Sequence, residues 1–134
     1  MYEKNLLRSK ILEPNISNKG SIQMHVHEFY GSTALGAPQG RAELLHNHRF
    51  AGISGPAIQT AKGHIHELMA GTDFYFNHYH FIKMYTGLPI PVYDDDGKQI
   101  GHIHSFLGIT TVNFMHDHKF KGTTLIEDPI FFKK

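Results

Sequence analysis

The 134-residue chain predicts an all-β fold. Three pseudo-repeated hairpins, about six main strands, would form a closed or nearly closed barrel-like core lined by histidines. Three observations lead there. All twelve histidines fall in H-x-H pairs, with none left over. The pairs alternate between two kinds of surroundings. The first kind recurs at a near-constant spacing, its pairs starting at 25, 64 and 102. A repeat of this length implies supersecondary units that share one core.

The first-type pairs are His25/His27, His64/His66 and His102/His104, in "HVHEFYGST", "HIHELMAGT" and "HIHSFLGIT". An apolar residue sits inside each pair and a large one follows two positions later (Phe29, Leu68, Phe106). Gly and Thr come next: Gly31 and Thr33, Gly71 and Thr72, Gly108 and Thr110. The second-type pairs are His46/His48, His78/His80 and His116/His118, in "LLHNHRF", "FNHYHFI" and "FMHDHKF". Their flanks alternate: Leu44 and Phe50, Phe76 and Ile82, Phe114 and Phe120. Period-2 alternation bounded by Gly, Thr, Asn and Asp reads as strands.

In chain order, residues 1–20 read as an N-terminal arm. Leu6, Leu7, Ile11 and Leu12 fit a short amphipathic helix before Pro14. Residues 21–134 read as a single β domain with repeats at about 22–58, 62–92 and 100–130. The longer first unit carries the turn-rich "ALGAPQG". One antiparallel register sets His104 opposite His116, His66 opposite His78 and His27 opposite His46. It would gather four histidines on one face of each hairpin. "DDDGK" at 94–98 is a solvated turn, and "TLIEDPIFFKK" could add a last strand.

Period 2 also turns both imidazoles of a pair, and the apolar residues beside them, to one side of the strand. That side is the interior. An imidazole left unpaired there costs a few kcal/mol, so twelve would exceed the roughly 5–15 kcal/mol net stability of a domain. Metal coordination satisfies them together. All twelve histidines are therefore the candidate ligands for two to four divalent transition-metal ions. Neutral imidazole suits Zn, Cu, Ni and Fe(II), and Mn is a further possibility. Zn²⁺ leads, because four histidines per hairpin would fill a tetrahedral site. An alternative geometry places rings of equivalent histidines around a pseudo-threefold axis. Asp73 and Asp117 read first as parts of a solvated turn or face, and second as acceptors for imidazole N–H groups. Glu28 and Glu67 point away from the histidine face, and Thr33, Thr72 and Thr110 are assigned to turns.

Composition narrows the classes. Hydrophobic residues make up 40% and charged residues 19%, which is globular rather than disordered. A formal net charge of +1 gives no field suited to nucleic acid or anionic membrane. The absence of cysteine excludes disulfides, thiolate sites and Cys nucleophiles. No apolar run has the length of a signal peptide or membrane span. The expectation is a cytoplasmic monomer or small homo-oligomer whose partners are metal ions. Metal storage, buffering or metal-stabilised structure leads. The alternative is a metalloenzyme with hydrolytic or redox chemistry.

The series "HVHEF…GST", "HNHRFAGISGPAI", "GHIHEL…GT", "HYHF…TGLPI", "GHIHSF…T" and "HKFKGTTLIEDP" resembles the YmaF-like proteins of bacteria over roughly residues 22–129. That resemblance implies the repeated H-x-H set and a small cytoplasmic protein. It implies no particular reaction.

Overall fold

The computed structural model describes residues 24–130. The arm expected at residues 1–20 lies outside the described residues. The strands are β1 (Val26–Ser32), β2 (Arg49–Ile53), β3 (Ile58–Thr60), β4 (Gly63–Ile65) and β5 (Glu67–Gly71). They continue with β6 (Phe81–Tyr85), β7 (Pro89–Tyr93), β8 (Gln99–Ile109), β9 (Lys119–Thr123) and β10 (Glu127–Asp128). One 3₁₀ turn, Ala42–Leu44, interrupts the first long loop. The fold is all-β, as predicted.

The three repeats are the antiparallel hairpins β1–β2, β5–β6 and β8–β9. The two links between repeats form smaller pairings, β3–β4 and β7–β8. β10 pairs with the start of β1, Glu127 facing His27, so the last segment does add a strand. β7 gives the third repeat the same support, with Pro89 facing His104.

The register differs from the expected one. Gly108 faces Phe120 and Ser105 faces Thr123, so His104 lies opposite Thr124 and not His116. The same displacement occurs in the other hairpins, where Phe29 faces Gly52 and Leu68 faces Met84. Each hairpin therefore carries its two histidine pairs at opposite ends. The cause is the apolar layer between them. Phe29, Phe50, Leu68, Ile82, Phe106 and Phe120 are the buried core, at most 4% exposed.

These side chains interlock with small ones. A Cβ on Gly52 would stand 2.8 Å from the Phe29 ring, and one on Gly31 would stand 2.9 Å from that of Phe50. Gly122 and Gly108 make room for Phe106 and Phe120 in the same way. In the middle repeat the large residues shrink to Leu68 and Ile82, and the small ones grow to Met84 and Ala70. Interiors are close-packed, so volume lost on one strand is regained on its partner. Ala70 is thus the counterpart of Gly31 and Gly108; Gly71, aligned with them by sequence, is one position off.

The expected closed barrel is not formed. The strands fall into four small sheets. Adjacent hairpins meet through isolated backbone bonds at their ends. Ala34 donates to Lys119 at 2.7 Å, and Asp73 to Arg49 and Thr111 to Phe81 at 2.9 Å. At the other end Gly55, Gly87 and Leu125 donate to Glu67, Ser105 and Glu28. Between these ends, core rings with centroids 5.4–6.3 Å apart fill the axis. They hold neighbouring hairpins beyond the roughly 4.8 Å spacing of a ladder. Only at the ends, where small hydroxyl side chains replace the rings, do backbones come close.

The repeat is finer than three units. Six copies of H-x-H-x-Φ-x-x-x-[ST] run along the chain, where Φ is a large apolar residue. They start at His25, His46, His64, His78, His102 and His116, and end at Thr33, Ser54, Thr72, Thr86, Thr110 and Thr124.

Candidate metal centres

The displaced register sorts the histidines by type. His25, His27, His64, His66, His102 and His104 form one group, and His46, His48, His78, His80, His116 and His118 form the other. Each group takes one pair from every repeat. Within a group, ligand atoms all lie within 4.8 Å of one another. Groups of four within one hairpin do not occur, because the apolar layer separates the two ends. The ring geometry around an axis is the one formed.

Each group has an outer and an inner triangle. In the first-type group the outer Nε2 atoms of His25, His64 and His102 are 3.1–3.2 Å apart. In the second-type group those of His46, His78 and His116 are 3.2 Å apart. Links from outer to inner Nε2 atoms are 3.1–3.2 Å. Each outer ring packs edge-on against two inner rings. His25, for example, meets His27 and His66 with centroids 5.1 and 4.8 Å away. This is the arrangement of octahedron vertices. An edge of 3.1–3.2 Å puts the centre about 2.2 Å from each nitrogen, slightly longer than the 2.0–2.1 Å of tetrahedral Zn–N.

The other ring nitrogen explains why nine of the twelve Nε2 atoms point inward. Each inner histidine donates Nδ1–H to a backbone carbonyl of another repeat. His27 reaches Leu125, His66 reaches Gly55 and His104 reaches Gly87, at 2.8–2.9 Å. At the other end His48 reaches Asp73, His80 reaches Thr111 and His118 reaches Ala34, at 2.9–3.1 Å. The outer His46, His78 and His116 donate to the carbonyls of Leu44, Phe76 and Phe114 at 2.7–2.9 Å. A neutral imidazole with its proton on Nδ1 presents a bare lone pair at Nε2. The Nε2 atoms of His80 and His118 are buried without any partner. At the second-type centre six lone pairs converge with no proton among them, which fits a cation at that point.

The carbonyls that accept from the inner histidines belong to the residues after the six recurring hydroxyls. Thr124 shows the device. Its Oγ1 accepts the backbone N–H of His104 at 3.1 Å and donates to the Leu125 carbonyl at 3.0 Å, the same carbonyl that His27 uses. Ser54, Thr33, Thr86, Thr72 and Thr110 accept from His27, His48, His66, His80 and His118. Thr33, Thr72 and Thr110, assigned to turns by sequence, are buried partners of histidine. Ser54, Thr86 and Thr124 were not singled out at all. Their signal is a hydroxyl six residues after each inner histidine.

Leu44, Phe76 and Phe114, expected in the interior, are not core residues. Phe76 and Phe114 are 40% and 52% exposed. Their turns break the alternation with consecutive left-handed residues, Phe76–Asn77 and Phe114–Met115. What these positions supply is the carbonyl that holds the outer ring. In the first repeat the inserted loop does related work. A Cβ on Gly36 would stand 3.0 Å from Nδ1 of His118, so only glycine lets this backbone pass.

Two carboxylates approach the rings. Asp73 Oδ1 lies 3.2 Å from Nδ1 of His48, the second of the two roles the sequence offers for Asp73. Glu127 Oε1 accepts the backbone N–H of His102, and its Oε2 lies 3.4 Å from His102 Nδ1. Asp117 has no ring contact among the described residues. Glu67 pairs with Lys83 at 3.5 Å, away from the rings.

Burial, reinforced by neighbouring histidines, pushes His27, His80, His104 and His118 down to about 4. Burial also lowers His25, His48, His64, His66 and His116. These rings are neutral near pH 7, the form that binds metal. Among the described residues no helix is long and apolar enough to cross a membrane.

No curated protein and no solved structure matches the chain. A family model, YmaF, described as spore germination protein GerY/YamF, matches residues 22–126. That span contains all twelve histidines and all six hydroxyls. The chain therefore belongs to the YmaF family.

Proposed function

We propose that this protein binds two divalent transition-metal ions, each held by six histidines, and that all twelve histidines are ligands. The observation that carries this reading is the fixed tautomer. Nine Nδ1 atoms are engaged by backbone carbonyls, all six of the second-type centre among them, so their Nε2 atoms are bare lone pairs; those of His46, His48, His78 and His116 stand 3.1–3.2 Å from a neighbour. At the second-type centre a network of hydrogen bonds between neutral rings would need protons on Nε2, which this tautomer lacks in all six rings; at the first-type centre only His25, His64 and His102 are left to supply such protons. A cation at each centre satisfies all six at once.

Six roughly octahedral imidazoles favour an ion that accepts six nitrogens, Fe²⁺ or Ni²⁺, over four-coordinate Zn²⁺. They leave no position for water or substrate, which a catalytic metal needs. Metal holding and metal-stabilised structure are therefore preferred to an enzyme. Each ion would tie three repeats together and add its binding free energy to folding. Residues 24–130 would accordingly act as one domain. The family description connects its members with spore germination, and we place this chain there as a metal-binding component.

The test is elemental mass spectrometry on untagged protein purified without added metal. Two equivalents per chain are expected. A folded protein with no bound metal, and none taken up from Fe²⁺ or Ni²⁺ solutions, would overturn the reading.

A further inference from the structure

We propose that the two centres divide the work: the ion held by the first-type histidines exchanges with divalent ions in solution, and the ion held by the second-type histidines is locked into the fold. This deepens the metal-binding reading and rests on it.

The difference lies in the outer triangles. At the second-type centre His46, His78 and His116 are 4–8% exposed. Each is tied through Nδ1 to a carbonyl of its own turn, two residues back. The Phe76 ring covers His46 with centroids 4.9 Å apart, and Phe114 covers His78 at 5.1 Å. At the first-type centre His25, His64 and His102 are only half-buried. Among the described residues no acceptor holds Nδ1 of His25 or His64. His102 alone has a partner on that side, the Glu127 carboxylate.

An imidazole leaves a metal by swinging about its side-chain bonds. That motion needs free space and no tether on the far nitrogen. Among the described residues both conditions hold for His25 and His64, and neither holds for His46, His78 and His116. Once one outer ring swings away, water or an incoming chelator takes its place and the next ring follows. The half-buried Glu127 adds negative charge beside this entrance, which favours approach of a divalent cation. The inner triangles are built alike at both ends, so the outer rings set the difference.

The test loads the full chain with two equivalents of Ni²⁺, adds excess EDTA, and measures retained nickel after rapid desalting. One equivalent should leave fast. The second should leave at least about tenfold more slowly, the factor expected from a single lost ring tether of the stronger kind. His64→Gln should speed or remove only the fast phase and leave the slow phase unchanged. Phe114→Ala, which touches no ligand identity, should speed only the slow phase. Two equivalents leaving at one rate would overturn the division while leaving metal binding intact. So would His64→Gln speeding the slow phase while leaving the fast phase as it was. A chain that takes up no Ni²⁺ would overturn the metal-binding reading, and this division with it.

Discussion

Replacing Thr124 by Val isolates the hydroxyl that supports the first-type centre. The two side chains have nearly the same shape, so no cavity opens. What disappears is the acceptor for the His104 backbone N–H at 3.1 Å. His104 is 0% exposed and Thr124 2%, so water cannot replace it. An orphaned buried N–H costs about 1–3 kcal/mol. The Leu125 carbonyl also loses a donor but keeps His27 at 2.9 Å, so the second loss is smaller. For a chain of this size each kcal/mol shifts Tm by roughly 4 °C. Thr124→Val in EDTA should therefore melt about 4–12 °C below wild type, while Thr124→Ser stays close to it. Because His104 and His27 belong to one centre, that ion alone should bind about 10–100-fold more weakly. Equal melting of the Val and Ser variants, with both ions unaffected, would refute the assigned role of the hydroxyls.

Other expectations follow from the same geometry. His64→Ala with His66→Ala should lower metal content from two equivalents to one, measured by elemental analysis; unchanged content would sink the ligand assignment. Gly52→Ala should destabilise by about 1–3 kcal/mol through overpacking against Phe29, read by denaturant titration. Adding Phe29→Leu, to imitate Leu68 in the middle repeat, should recover part of that loss, and strict additivity would contradict the interlocked layer. Acid should unfold the metal-free protein. His27, His80, His104 and His118 return from about 4 to about 6.5 on unfolding. Between those values the unfolded chain binds more protons, so stability is full above about pH 6.5 and falls as pH drops toward 4. A denaturation midpoint that stays constant from pH 7 to pH 4.5 would contradict this.

Much of this arrangement was legible residue by residue. H-x-H with an apolar residue two positions on reads as a strand with its imidazoles inward, and all six inner histidines are buried. The hydroxyl six residues after each inner histidine was equally legible, but Thr beside Gly imitates a turn. Phe76 and Phe114 misled because alternation was carried through a left-handed turn that flips the chain. Phe does not announce that conformation, since a positive φ is uncommon outside glycine and asparagine.

The sequence by itself determined the all-β class, the inward face of each strand, the threefold recurrence and the chemistry of the donors. These are local properties, set by period-2 alternation and by what imidazole binds. Only the tertiary structure decided which histidines meet. Partnership depends on register, and the register was fixed by the space that Phe29, Phe50 and their counterparts occupy against facing small residues. That layer drives the two pairs of each hairpin to opposite ends. Three hairpins packed around it then bring like pairs together, one group of six at each end.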